Sequence, residues 1–305
     1  MGNSLVQNQK KTFSAFMTVP NIKARINEVV GRNAQSFMTS IVSAVSANPA
    51  LQECEPATIL SAAFLGEGLK LSPSPQLGQY YMVPYERKVG DIKVKQAQFQ
   101  LGYKGYIQLA IRSGYYRKIN VIAIKDGELV RFDPLNEDIE VNLIDDFEER
   151  EAKETIGYYA MFEYTSGFRK AIYWPKSKML CHADRFSKAF SKESYKKLLA
   201  GQIPEKDMWK YSSFWYKDFD AMAYKTMLRQ LISKWGIMSV DLQKAYEADE
   251  ALIKEDGTAE FIDVEDEAPA AVPAPEASQE KEPEQTPAND TDDDDPFDAA
   301  VLLPD

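Results

Sequence analysis

FQLGYKGYIQLAIRSGYYRKI, residues 99–119, changes its hydrophobic period twice. Just upstream, IKVKQAQFQL (92–101) alternates in the two-residue rhythm of a strand. From Gly102 the apolar positions move to helical spacing, with Ile107 and Ile111 one turn apart and Gly114 suited to the C-terminal cap. Alternation resumes from Tyr116 to Ile124, and Asp126-Gly127 turns the chain back. On the N-terminal side, QYYMVPYER (79–87) alternates as well, and Val89-Gly90-Asp91 supplies the turn of a hairpin. On the C-terminal side, residues 157–164 and 168–174 predict a second hairpin through Thr165-Ser166-Gly167. Between them, residues 133–154 are acidic and irregular and read as a strand pair or an insertion. Antiparallel hairpins mixed with helices give an α+β chain.

The flanks are helical. Residues 21–30 carry Ile22, Ile26 and Val29 on one face and stop at Gly31. Residues 33–46 carry Phe37, Ile41, Val42 and Val45 inward. Glu55-Pro56 opens a third helix with Ile59, Leu60, Ala63 and Phe64 at helical spacing, ended by Gly66 and Gly68. Further on, helices are predicted over 192–199, 214–235 and 241–252.

Charge divides the chain near residue 247. From Glu247 to the end, 21 carboxylates face only Lys254 and Lys281, which leaves 34 basic and 26 acidic residues before it. The overall charge of −11 is therefore the average of a basic body and an acidic tail. A basic body rich in tyrosine points to a polyanion partner. The tail is rich in Pro, Ala, Glu and Asp and cannot bury enough apolar surface to order itself. These boundaries predict a flexible arm over 1–20, a folded body over 21–252, and a disordered acidic tail over 253–305.

Several chemistries find no support. His182 is the single histidine, and Cys54 and Cys181 lie far apart, so no zinc-like spacing exists. Two cysteines in different segments read as a reduced cytoplasmic protein. The pair Cys181-His182 is adjacent in sequence, and neighbours usually point apart, which disfavours a nucleophilic couple. Gly66-Glu67-Gly68 lacks the third glycine of a phosphate loop, and Lys225-Thr226 has no glycine run before it. No run reaches the roughly 18–20 apolar residues of a membrane span. No cofactor, metal or catalytic residue is expected.

Three segments interleave cations with aromatics, as single-stranded nucleic acid requires of a partner. In the first hairpin, Arg87, Lys88, Lys93 and Lys95 cluster about the tip, with Lys93 and Lys95 on one strand face. In the second segment, Tyr103, Lys104 and Tyr106 are followed by Arg112, Arg117 and Lys118. Lys104 sits where helix amides favour phosphate, and Gly102 and Gly105 permit close backbone approach. In the third, Lys225 and Arg229 lie one turn apart opposite Met227, Leu231 and Trp235, and Arg185 and Lys188 flank Phe186 upstream. An ordinary solvated hairpin, core tyrosines and surface salt bridges are the structural alternatives.

The order of four segments resembles the RecT family of phage and prophage single-strand DNA annealing proteins. These are ATILSAAFLGEGLKLSP (57–73), LGQYYMVPY (77–85), FQLGYKGYIQLAIRSGYYRKI (99–119) and AYKTMLRQLISKWG (223–236). The resemblance implies a curved antiparallel sheet packed on a long helix, flanked by helices. It implies a non-enzyme that binds single-stranded DNA and nascent duplex and anneals complementary strands without ATP. It also implies self-assembly into rings or helical filaments, and a phage exonuclease and host single-strand DNA-binding protein as partners in a bacterial cytoplasm. On this basis Lys104, Arg112, Arg117, Lys118, Lys225 and Arg229 are phosphate candidates, and Gln79, Tyr81 and Tyr103 line or stack in the groove. Arg185 and Lys188 sit where the match is looser.

DDDDPF (292–297) resembles the acidic tip of bacterial single-strand DNA-binding proteins, but eight residues follow it here. The tail is expected either to compete with DNA for the basic groove or simply to solubilise the chain. Two other functions fit parts of the sequence. A metal-dependent nuclease would need Asp133, Glu137, Asp138 and Glu140 around Mg²⁺, although their acidic surroundings are wrong for a DNA channel. A passive single-strand binder would need only the groove.

Overall fold

The computed structural model describes residues 12–89, 92–254 and 258–261. Helices come first: α1 (Phe13–Met17), α2 (Pro20–Val30), α3 (Ala34–Ser46), α4 (Pro49–Gln52) and α5 (Pro56–Gly68). Strands β1 (Tyr80–Val89) and β2 (Ile92–Leu101) follow, then α6 (Tyr103–Arg112) and β3 (Tyr116–Lys125). Next are β4 (Leu129–Asp133), β5 (Asp138–Val141), α7 (Phe147–Ala152), β6 (Thr155–Tyr164), β7 (Arg169–Pro175) and α8 (Lys176–Phe186). The chain continues through α9 (Lys192–Leu199), a 3₁₀ segment at Glu205–Tyr211, α10 (Phe214–Lys217) and α11 (Phe219–Trp235). It closes with α12 (Val240–Glu247), β8 (Ala251–Ile253) and β9 (Ala259–Phe261).

Among the described residues every strand pair is antiparallel, as an α+β fold built of hairpins requires. One sheet has the order β1-β2-β8-β9, a second β3-β6-β7, and β4-β5 stands as its own hairpin. The long helix α11 lies along the second sheet. Its buried Ala223, Met227, Leu228, Leu231 and Ile232 face that sheet and α6. Alternation on β6 supplies the other half of the contact through Tyr158, Ala160, Phe162 and Tyr164, all buried. Both ends of α11 are tied to β6 by tyrosine hydroxyls. Tyr158 donates to Asp220 at 2.6 Å, and Tyr164 donates to the Trp235 carbonyl at 3.1 Å. Burial and the Asp220 carboxylate raise the Tyr158 pKa, so its hydroxyl stays protonated. Each fully buried Leu, Ile or Phe in this layer contributes about 1.5–3 kcal/mol.

The N-terminal helices pack on the first sheet. Phe37 stacks on Phe64 at 5.6 Å, and Ile41, Ile59 and Ala62 are wholly buried. Tyr80 of β1 is buried against Phe99 at 5.2 Å. Its ring occupies the space a Cβ at Gly66 would need, so α5 carries glycine inside its last turns and ends at Gly68.

Three helical expectations need adjustment, and one helix was not expected. Val29 is exposed, and Val30 packs against the core instead. The helix expected over 214–235 breaks at Asp218, which takes φ −148° and ψ 74° and caps α11 by accepting from Ala221 N. Lys176–Phe186 is helical although its pattern is polar; only Met179 and Ala183, one turn apart, are buried. The helix expected over 241–252 stops at Glu247, because Asp249 turns inward and Glu250 adopts φ 70°. Residues 251–253 then add a strand to β2 through Phe99 and Ala251. Of the arm expected over 1–20, residues 13–17 form α1 with Phe13 and Met17 buried, and 1–11 lie outside the described residues. Most of the acidic tail, including DDDDPF, also lies outside them.

Candidate nucleic-acid interface

Two glycine-bearing segments meet at the start of α6. Gly102 N donates to the Gln79 carbonyl at 2.9 Å. A Cβ at Gly102 would collide with the Gly78 carbonyl, and one at Gly105 with the Gln79 carbonyl. Only glycine permits this approach. Gly78 itself sits at φ +60° beneath the Tyr81 hydroxyl and the Lys104 side chain. Gln79 braces the notch from behind, its Oε1 accepting from Ser72 N at 2.7 Å. Gln79, Tyr81, Tyr103 and Lys104, far apart in pattern terms, therefore come together at one helix N-terminus.

The surface of this notch is aromatic and cationic. Lys104 is exposed, with Nζ 5.9 Å from the centre of the Tyr103 ring. Among the described residues no carboxylate lies within salt-bridge distance of it. Tyr103 meets Tyr224 edge-on at 5.5 Å, and Tyr81 meets Phe214 at 5.4 Å. Burial, with Asp218 behind it, raises the pKa of Tyr81 and of Tyr103 above the usual phenol value. Both rings are thus neutral at pH 7 and can approach a phosphate or a base without repulsion. Phe214 was absent from the sequence expectations because the break at Asp218 that exposes it falls inside an apparently continuous helix.

Lys225 and Arg229 face the other way. Asp249, with a fully buried carboxylate, accepts from Leu101 N at 2.8 Å, Lys225 Nζ at 2.9 Å, Tyr106 Oη at 3.3 Å and Arg229 Nη1 at 3.0 Å. Four donors fill the roughly four acceptor positions of a carboxylate. The Lys225 ammonium, working against burial and joined by Arg229, holds Glu250 below the usual carboxylate range. Burial opposes the charge on Arg229, yet Asp249 keeps its pKa above the ordinary value. The expected outward phosphate face of α11 is here an internal clamp joining β2, α6, α11 and the start of β8.

The remaining candidates are dispersed. Arg112 caps α5, its guanidinium donating to the carbonyls of Leu69 at 2.5 Å and Lys70 at 3.2 Å. Arg117 and Lys118 lie exposed on β3, with Arg117 3.2 Å from Glu163. Lys93 pairs with Glu86 at 2.6 Å, and Lys95 pairs with Glu53. The backbone of Arg87 and Lys88 continues β1, while their side chains and the turn at 90–91 lie outside the described residues. Arg185 and Lys188 are exposed at the end of α8, with Arg185 5.3 Å from the Phe186 ring centre. His182 packs between Trp174 at 5.4 Å and Phe186 at 4.6 Å. Burial, with Arg229 and Lys178 nearby, lowers its pKa to about 4, so it is neutral at pH 7.

Two carboxylates of the nuclease alternative have other partners. Asp133 holds its own turn by accepting from Leu135 N and Asn136 N, and Glu137 pairs with Lys170. Among the described residues no group of three or more His, Cys, Asp or Glu side chains is placed to hold a metal ion. Nor is any described helix long and apolar enough to cross a membrane.

The model of the RecT family matches residues 35–268, which include the notch, the clamp and all of α11. The chain belongs to the RecT family. It is 40% identical over 298 residues to uncharacterized protein YqaK of Bacillus subtilis (strain 168), spanning 97% of this chain and 89% of that protein. It is 26% identical over 121 residues to Protein RecT of Escherichia coli (strain K12), spanning 39% of this chain and 45% of that protein. RecT-family membership supports a role in recombination and single-strand annealing.

Proposed function

We propose that this RecT-family protein binds single-stranded DNA and anneals complementary strands without ATP, acting as an oligomer on the DNA. The observation that carries the reading is the notch at the start of α6, where Tyr81, Tyr103 and unpaired Lys104 converge over Gly78. A strand entering there meets one cation and the positive end of a helix for its phosphates. It meets two neutral phenols for its sugars and bases. Annealing makes and breaks no covalent bond, so the protein acts as a non-enzyme: it neutralises phosphates, keeps base edges exposed and lets base pairing select the complement.

Arg117 and Lys118 on β3, the hairpin cations Arg87, Lys88, Lys93 and Lys95, and Arg185 on α8 with Lys188 just after it extend the phosphate contacts beyond the notch. Arg112, Lys225 and Arg229 support the groove from within by capping α5 and clamping β8. A domain over 21–252, ring or filament assembly, an exonuclease and a host single-strand DNA-binding protein as partners, and a bacterial cytoplasmic setting complete the proposal. Two complementary labelled oligonucleotides, added in sequence without nucleotide triphosphate, test it. Pairing should run faster than the protein-free rate and slow again in Lys104→Glu. Tight binding with no acceleration would reduce the protein to a passive binder and overturn the annealing reading.

A further inference from the structure

The segment between α9 and α11 presents the largest exposed aromatic of the described residues. Trp209 is 72% exposed, with Met208 beside it at 45%. The segment that carries them is well anchored. Trp215 is buried against Phe190 and Phe219, Tyr211 packs edge-on against Tyr216 at 5.1 Å, and the Tyr216 hydroxyl accepts from Ser191 N at 2.7 Å. Lys210 pairs with Asp207 at 2.8 Å while its ammonium lies 5.7 Å from the centre of the Trp209 indole. An indole held outward on a fixed support loses little conformational freedom when something stacks on it.

The surroundings specify what that partner is. Residues 192–217 contain six lysines against three carboxylates, and Lys196, Lys197, Lys206, Lys210 and Lys217 are exposed. A ligand with flat apolar faces at intervals along an anionic backbone matches both features. The segment also continues into the notch. Phe214 lies five residues after Trp209 and touches Tyr81, so the Cα atoms of Trp209 and of this tyrosine contact are at most roughly 18 Å apart along the chain.

We propose that Trp209, with Phe214 as the link, is a base-stacking post that takes an unstacked nucleobase of the same single strand whose phosphates lie at Lys104. The assignment rests on the single-strand reading above and adds a residue outside every segment that carried the family resemblance. It also gives the groove a basis for preferring single strands, because a duplex keeps its base faces stacked and offers none to an indole.

The test compares wild type, Trp209→Ala and Trp209→Phe in the full chain, binding oligothymidylate or a blunt duplex. Tryptophan emission reports stacking directly, and the remaining Trp174, Trp215 and Trp235 are common to all three proteins. Wild-type emission should fall when oligothymidylate binds. Trp209→Ala should lose most of that quench and bind about tenfold more weakly, the size of one base stack. Its salt dependence and duplex affinity should be unchanged, and Trp209→Phe should recover most of the affinity. Equal oligothymidylate affinity in wild type and Trp209→Ala would overturn the proposal. So would equal weakening on single strand and duplex. A change confined to self-association, seen by light scattering without DNA, would make the partner another copy of the chain and overturn it as well. If wild type fails to bind any single strand, the functional reading itself falls, an outcome distinct from the other three.

Discussion

Lys225 and Lys104 stand on adjacent helices, α11 and α6, and both lie close to Tyr81. Their chemistry on the page of sequence is the same: a lysine near tyrosines inside a segment of RecT-family character. In the folded chain Lys225 is buried and bonded to Asp249 and Glu250, whereas Lys104 is exposed with only an aromatic ring beside it. The contrast shows that neither residue type nor helical face separates a buried, paired cation from one left exposed without a counter-charge. What separates them is whether the fold brings up a counter-charge, and here that counter-charge comes from Asp249, 24 residues beyond Lys225.

Breaking the buried side of this contrast should have the largest effect. Asp249→Ala leaves Lys225 and Arg229 only the more distant Glu250, at 3.4 and 4.0 Å, and leaves Leu101 N without its acceptor. Loss of one partner from a buried pair costs about 3–5 kcal/mol. Urea unfolding should register a destabilisation of that order. Combining Asp249→Leu with Lys225→Met, Arg229→Leu and Glu250→Gln should cost far less than the four changes separately, since no charge is left unpaired. A loss below about 1 kcal/mol for Asp249→Ala, the scale of exposed pairs, would mean the clamp is solvated and the contrast false.

Gly105 joins the two regions, because α6 carries both the notch at its first turn and Tyr106, which donates to Asp249. A Cβ at 105 would push into the Gln79 carbonyl and the Leu101 side chain. Gly105→Ala should destabilise the fold by about 1–3 kcal/mol, as overpacking does. It should also weaken single-strand binding by displacing Tyr81 from Lys104. Unchanged melting together with unchanged binding would show that the notch is looser than its geometry.

Much of this arrangement was legible beforehand where the signal is local. The period changes around residues 99–119 marked β2, α6 and β3 to within a residue or two, and the Thr165-Ser166-Gly167 turn marked the second hairpin. Helix α9 has the bounds expected of it, since Ser191 caps its start by accepting from Ser194 N. What escaped depends on contacts remote in sequence. Asp249 bonds Leu101 across 148 residues and Glu250 N donates to the Phe99 carbonyl, and these contacts explain why the chain leaves the helix and residues 251–253 join a sheet. The α10–α11 break was marked by Asp218, a good capping residue, yet apolar residues on both sides hid it. Lys104 and Lys225 were legible alike as phosphate candidates; that Lys225 is buried and paired was invisible without Asp249.

His182 sharpens the comparison from the edge of the clamp, where it feels both Arg229 and Glu250. Its folded pKa, about 4, lies below its ordinary 6.5, so between those values the unfolded chain holds more protons. Its contribution to stability is present above pH 6.5 and is lost as pH falls towards 4. Glu250, held low by Lys225, loses its own contribution as pH falls through its depressed value, in the same direction. Because carboxylates share that range, the useful quantity is the difference between wild type and His182→Phe. This variant keeps ring packing against Trp174 and Phe186 without titrating. Its stability should fall less between pH 6.5 and 4 than that of wild type; identical pH profiles would mean His182 is solvated.

Lys104→Ala should give the smallest effect on the fold and the most specific effect on binding. The side chain holds no carboxylate, and its removal leaves no buried group unsatisfied, so melting should stay within about 0.5 kcal/mol of wild type. Binding is different, because each phosphate neutralised by a lysine releases counterions. The plot of log affinity against log salt for an oligonucleotide should become shallower by about 0.7. Lys225→Ala supplies the opposite signature, a large loss of stability and, at temperatures where the protein remains folded, an unchanged salt slope. If instead Lys225→Ala flattened the slope and Lys104→Ala did not, the clamp would have to open on DNA and expose its cations. The buried region would then be the binding surface, and Asp249 its stand-in for a phosphate.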